Sequence, residues 1–133
     1  MKRKKWLLSV LAICMLVGVA YAWTLLLDEN GNPVEVWTHG GTTFSFWEPI
    51  QLDGSRTYQA HVAECQANAK GEILIYKSDE SSVVVLDRWV PQGTTGDYEF
   101  TTPAGDPKTW MLQVTNTGQS GENDRMIVQL QKQ

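Results

Sequence analysis

The sequence predicts an all-β domain, a two-sheet antiparallel β-sandwich of jelly-roll or immunoglobulin-like type, behind an N-terminal signal or anchor helix. Three observations lead there. From Trp23 onward the apolar residues recur with a period of two, the spacing of one face of a strand, and not with the 3.6-residue period of a helix. Clusters of Gly, Pro, Asn, Asp and Ser break these runs at short intervals, as turns do between short strands. Nothing repeats at a fixed interval, which sets aside solenoids and propellers. A closed barrel is the alternative arrangement.

The chain divides into residues 1–22, a signal peptide or uncleaved membrane anchor, and residues 23–133, a single domain. Lys2, Arg3, Lys4 and Lys5 form a positive start, Trp6 to Val19 an apolar run, and Ala20-Tyr21-Ala22 a small-x-small site, so cleavage is expected after Ala22. The competing reading is retention, because the apolar stretch continues to Leu27 and 22 residues are enough to span a bilayer core of about 30 Å. Either way the domain is expected outside the cytoplasm, secreted or at the cell surface, and touches a membrane only through this segment.

The elements then follow in order. Trp23 to Leu27 and Val34 to Thr38 flank Asn30-Gly31 as a hairpin, with Pro33 at a strand start where a missing N–H is tolerated. Thr42 to Trp47 alternates, placing Phe44 and Phe46 together as core residues and Trp47 on the other face with Thr43 and Ser45. The stretch between Glu48-Pro49 and Asp53-Gly54-Ser55 is a loop. Thr57 to Gln66 is a long strand with Tyr58, Ala60 and Val62 inward, then Ala63 and Cys65; the change of phase predicts a bulge near Ala63. Ile73 to Tyr76 is apolar throughout, the pattern of a strand covered on both faces. Val83 to Val90 follows, with Trp89 sharing a face with Asp87, Val85 and Val83. Tyr98 and Phe100 alternate against Asp97, Glu99 and Thr101. Trp110, Leu112 and Val114 form one inward face, and Met126, Val128 and Leu130 another. Eight or nine strands are expected, enough to bury a core without disulfides.

Charge and motifs exclude more than they assign. Without the first 22 residues, 7 basic and 15 acidic side chains remain, a net charge of −8. Nucleic acid, which is gripped by clustered Lys and Arg, is therefore excluded as a partner. There is no G-x-S-x-G, H-E-x-x-H, P-loop or C-x-x-C, so the domain is read as non-catalytic. His39 and His61 are not at a metal-binding spacing and read as unrelated imidazoles. Asp28, Asn30 and Asn32 begin like a calcium loop, but Pro33 replaces the required Gly and His39 the bidentate Glu, so the run is a turn. No cofactor is expected; calcium stays open as a weak ligand of other loops, such as Asn116 to Asp124.

The aromatic residues carry the functional signal. Trp37 shares a face with Glu35, Trp47 precedes Glu48-Pro49, and Trp89 lies beside Asp87 near the loop at Pro91. Indoles among carboxylates, amides and hydroxyls suit sugars, whose apolar face stacks on the ring while polar neighbours take the hydroxyls. Capping the core is the competing use of each. Cys65 is the one thiol of the domain, read either as a small buried hydrophobe or as the sulfur of an intermolecular bridge.

From Ile50 to Asn116, the landmarks Leu52-Asp53-Gly54-Ser55-Arg56-Thr57-Tyr58, Ile73-Leu74-Ile75-Tyr76, Gly96-Asp97-Tyr98-Glu99-Phe100-Thr101-Thr102-Pro103 and Trp110-Met111-Leu112-Gln113-Val114 resemble the small β-sandwiches appended to secreted bacterial enzymes. Two groups share this rhythm, the pre-peptidase C-terminal domains and the jelly-roll carbohydrate-binding modules. The segment Glu72 to Tyr76 departs from the acidic strand of the first. The resemblance implies the fold and a ligand held on an aromatic-bearing face. The function expected is thus non-catalytic binding of a glycan or cell-envelope polymer through Trp37, Trp47 and Trp89. The alternative is a structural or protein-interaction sandwich that takes a protein partner at a sheet edge.

Overall fold

The computed structural model describes residues 22–133, so the reading of the amino-terminal segment as signal or anchor lies outside the described residues. The described residues form ten strands: β1 (Thr24–Leu25), β2 (Glu35–Thr38), β3 (Thr42–Ser45), β4 (Ile50–Leu52), β5 (Thr57–Cys65), β6 (Gly71–Lys77), β7 (Glu80–Val90), β8 (Gly96–Thr101), β9 (Lys108–Asn116) and β10 (Met126–Lys132). No helix occurs among the described residues.

The strands form two antiparallel sheets. The first runs β2-β10-β5-β8, with β1 on the opposite end of the same edge of β10; the second runs β3-β9-β6-β7, with β4 beside β3 on β9. The pairs are nested. The β6–β7 hairpin is innermost, β5 pairs with β8, β3 and β4 with β9, and β1 and β2 with β10. The first half of the chain runs out and the second returns beside it, the pairs alternating between sheets. That order is a jelly roll and decides against the immunoglobulin-like option.

The inward alternate residues of both sheets meet in one core. Tyr58, Ala60 and Val62 of β5 and Val128 and Leu130 of β10 face Ile73 and Ile75 of β6 and Trp110, Leu112 and Val114 of β9. Each large apolar side chain buried this way contributes about 1.5–3 kcal/mol. Tyr58 also accepts the Asp53 backbone N–H on its hydroxyl at 2.9 Å, which satisfies its buried polar end.

Several expectations need correction. The first hairpin exists only at its tip, where Leu27 bridges Pro33 and Gly31 takes a φ of 80°; its flanks, β1 and β2, are joined through β10. Residues Ile50–Leu52, read as loop, form β4 because Ile50 and Leu52 bury against β9. Phe44 has the inward phase but is 50% exposed, because β3 is a four-residue edge strand. The bulge at Ala63 is present, with Glu64 opposite Ile127 and Val62 opposite Val128; it leaves Ala63 exposed while Cys65 turns inward. Of Ile73 to Tyr76, only Ile73 and Ile75 are fully covered, while Leu74 and Tyr76 lie half-buried on an open outer face. A register shift in β7 brings Val84 opposite Tyr76, so Val83 and Val85 pack on the core and Trp89 keeps only Asp87 of its expected company.

Candidate functional site

The outer face of the first sheet is built from planar polar side chains. In β2, Val36 and Thr38 are buried, so Trp37 between them faces out and is 52% exposed. Its indole N–H donates to Glu35 Oε1, and the other oxygen of Glu35 accepts from Gln129 Nε2 at 2.6 Å. The Arg125 guanidinium lies 5.2 Å from the Trp37 ring centre, a cation–π contact, and donates to both carboxylate oxygens of Glu64 at 2.8 and 3.2 Å. Those bonds hold the Glu64 carboxyl below its ordinary range against the opposing effect of burial, and hold Arg125 protonated beyond its ordinary range.

Toward β8 the same face continues. His61 Nδ1 is 2.5 Å from Asp97 Oδ1, and Gln59 Nε2 donates to Gln131 Oε1 at 2.5 Å, with Glu99 opposite Gln59. Each group fixes its neighbour, so the face is a preorganised array of amides, carboxylates and one imidazole with an indole at one end. Of these residues, sequence reasoning found only Trp37. A signal was present: Gln129 and Gln131 are the outward positions of β10, and Gln59 and His61 those of β5.

The opposite face of the sandwich carries Trp89. It lies across from Glu72, 63% exposed, with Asp87 across from Leu74 and with Gln113 and Thr115 contributed by β9. Burial, a carboxyl–carboxyl hydrogen bond to Asp87 and the charge of Asp87 hold the Glu72 carboxyl above its ordinary value. Thr43 Oγ1 donates to Thr115 Oγ1 at 3.1 Å and extends the polar surface to β3.

Trp47 occupies a third place. It follows β3 in a bend, 65% exposed, its ring centroid 5.9 Å from that of Phe46 and the two planes tilted by 47°. It sits at the β3 edge of the second sheet, about 14 Å or three strand spacings from the β7 edge that holds Trp89. Beside it opens a cleft of ≈ 180 Å³ lined by Phe46, Glu48, Pro49 and Ile50 and by Asp28 and Glu29. Burial and the charges of Glu29 and Asp28 raise the Glu48 carboxyl above its ordinary value. Asp28 Oδ1 accepts the N–H groups of Asn30 and Asn32 at 2.9 and 2.8 Å, an Asx turn that accounts for the Asp-x-Asn-x-Asn run.

The three indoles singled out in the sequence are thus all more than half exposed, and the fold brings no two of them together. His39 and His61 are separate too: His39 Nδ1 lies 3.4 Å from Asp124, and His61 pairs with Asp97. Among the described residues no three His, Cys, Asp or Glu side chains converge to hold a metal ion. Cys65 is 9% exposed and its thiol donates to the Ala69 carbonyl at 3.3 Å, so a bridge to another chain would require the end of β5 to open.

No protein-family model matches the chain, and no curated protein matches it. Among solved structures it is similar to the C-terminal CBM6 of LamC, a marine laminarinase from Zobellia galactanivorans, at 15% identity and a TM-score of 0.46, covering 82% of this chain and 86% of that one. It is also similar to the structure of infectious bursal disease virus Gt strain, at 13% identity and a TM-score of 0.37, covering 82% of this chain and 30% of the viral one. These likenesses are of overall shape.

Proposed function

We propose that this is a non-catalytic binding domain for a glycan or cell-envelope polymer, secreted or anchored at the cell surface, with Trp37, Trp47 and Trp89 as the stacking residues. The observation that carries the reading is Trp37: an exposed indole immobilised by Glu35 and Arg125 beside a face of hydrogen-bonded planar polar groups. An exposed ring that is already fixed loses little freedom when a sugar stacks on it, and the amides and carboxylates next to it take the hydroxyls. The acidic balance favours an uncharged polymer over an anionic one.

The test is a titration of the full chain, kept in solution with a non-ionic detergent, against galactomannan, mixed-linkage β-glucan, arabinoxylan and peptidoglycan fragments. Tryptophan emission is followed with and without calcium. A saturable shift is expected, and the part of it that Trp37 contributes is expected to be lost in Trp37→Ala. A folded protein that shifts with none of the four would overturn the reading. It would favour the second one, a protein-interaction domain, which the 11-residue edge strand β7 supports: among the described residues it has a strand partner on one side only, and it exposes Val84 and Trp89.

A further inference from the structure

We infer that the cleft between the β1–β2 loop and the β3–β4 connection takes the side chain of a lysine from a partner polypeptide. The site is independent of the glycan reading. Its walls are apolar, lined by Leu26, Val34, Phe46 and Ile50. Its volume of ≈ 180 Å³ is below the about 300–1,000 Å³ of pockets that enclose whole small molecules. It is the size of one long side chain, which suits a residue offered by a larger partner. Leu27 lines the cleft and Trp47 stands between two lining residues, Phe46 and Glu48; they are 55% and 65% exposed and give the residues that flank the lysine an apolar surface to pack on.

The charge of the cleft calls for a cation. Asp28, Glu29 and Glu48 line it, and among the described residues no Lys, Arg or His forms an ion pair with any of them. Asp28 Oδ1 is engaged by the turn N–H groups of Asn30 and Asn32, whereas Asp28 Oδ2 is buried and accepts no hydrogen bond among the described residues. A buried carboxylate oxygen without a donor is costly, and a cation in the cleft supplies one. Burial and the charges of Glu29 and Asp28 push the Glu48 carboxyl up, so Glu48 already feels the other two acids. With one oxygen to offer, Asp28 cannot take the two parallel bonds of a guanidinium but can take an ammonium. A lysine brings three N–H donors on a four-carbon stem that lies along apolar walls. A metal ion fits less well: no three His, Cys, Asp or Glu side chains converge to hold one among the described residues, and apolar walls offer it no ligand.

The experiment titrates the full chain, labelled with nitrogen-15 and kept in solution with a non-ionic detergent, with the peptide acetyl-Ala-Leu-Lys-Leu-Ala-amide. Nuclear magnetic resonance follows the backbone amides of Leu27 and Gln51 and the indole N–H of Trp47. Three further probes are the same peptide with norleucine in place of lysine, the same peptide with arginine, and free n-butylammonium. Saturable shifts confined to the cleft are expected with the lysine peptide. Its affinity is expected to exceed that of the norleucine peptide by about tenfold, and to exceed those of the arginine peptide and of n-butylammonium. Asp28→Asn keeps an oxygen for the turn N–H groups while removing the charge, and Glu48→Gln removes the second charge. Each is expected to weaken the lysine peptide about threefold to tenfold and to leave the norleucine peptide unchanged. The spectrum of each free variant checks its fold.

A folded chain whose cleft resonances do not move with the lysine peptide overturns the inference. So does equal affinity for the norleucine peptide, which makes the contact merely apolar, or for the arginine peptide, which makes it a general attraction for cations. Equal affinity for n-butylammonium makes the cleft a site for a free amine and removes the partner chain. Folded Asp28→Asn and Glu48→Gln variants that bind the lysine peptide as wild type does overturn it as well.

Discussion

At Asp124 three donors meet one buried carboxylate: the backbone N–H of Gly40 at 3.0 Å, that of Gly121 at 3.2 Å, and the ring of His39 at 3.4 Å. Burial acts to raise its pKa, but these donors outweigh it and hold the group below its ordinary value. A carboxyl depressed in the folded state contributes stability that is fully present above its unfolded pKa of about 3.9. That stability is lost as the pH falls through the lower folded value. Asp124→Asn is therefore expected to melt lower than wild type at pH 7 and to show a flatter acid limb below pH 4, measured by thermal unfolding from pH 2 to 7. Identical acid limbs would assign acid lability elsewhere. Residues of this kind were hidden in the sequence, where Asp124 is one acid in a polar loop. Trp37 was legible because Glu35 and Trp37 share a strand phase. Phe44 was misread for the complementary reason: alternation fixes which way a side chain points, whereas burial depends on what faces it, and little covers the short edge strand β3.

Among the elements, the strands with clean alternation were read correctly. The inward faces of β9 and β10 are those the sequence indicates, and so is that of β5 apart from Ala63, where the bulge was visible as a change of phase. β4 escaped notice because three residues between Pro49 and Asp53 are too few to show a period. The shift within β7 escaped because Val83, Val84 and Val85 are chemically alike, so the pattern carries no phase there. Pairing also places demands on residues that look unremarkable in sequence. Gly71 begins β6 between β7 and β9, and a Cβ there would run into the Thr115 carbonyl of β9. Because the obstacle is backbone in the middle of a sheet, relief means moving a strand. Gly71→Ala is expected to cost about 3 kcal/mol, the upper end for overpacking, seen as a lower urea midpoint with an unchanged slope. A loss below ~0.5 kcal/mol would mean that β9 yields there.

For the whole molecule, the sandwich architecture followed from period and turn spacing, while the sheet order did not, because nothing local in a strand names its distant partner. The nested pairing has a kinetic consequence. Of the paired strands described, only β6 and β7 are joined by a tight turn, and each outer pair closes a longer loop than the one inside it. Folding dominated by such distant contacts runs in about milliseconds to seconds. Stopped-flow refolding from urea, followed by tryptophan emission, should show its main phase in that range; a microsecond phase of full amplitude would contradict it. The place of β10 matters during synthesis as well. Met126–Lys132 is an interior strand of the first sheet, flanked by β1 and β2 on one side and β5 on the other. That sheet cannot close while its last-made strand is still inside the ribosome. The first sheet therefore stays open until β10 has been made, and in that state the sides of β2 and β5 that β10 will fill are bare edges to which a chaperone can bind.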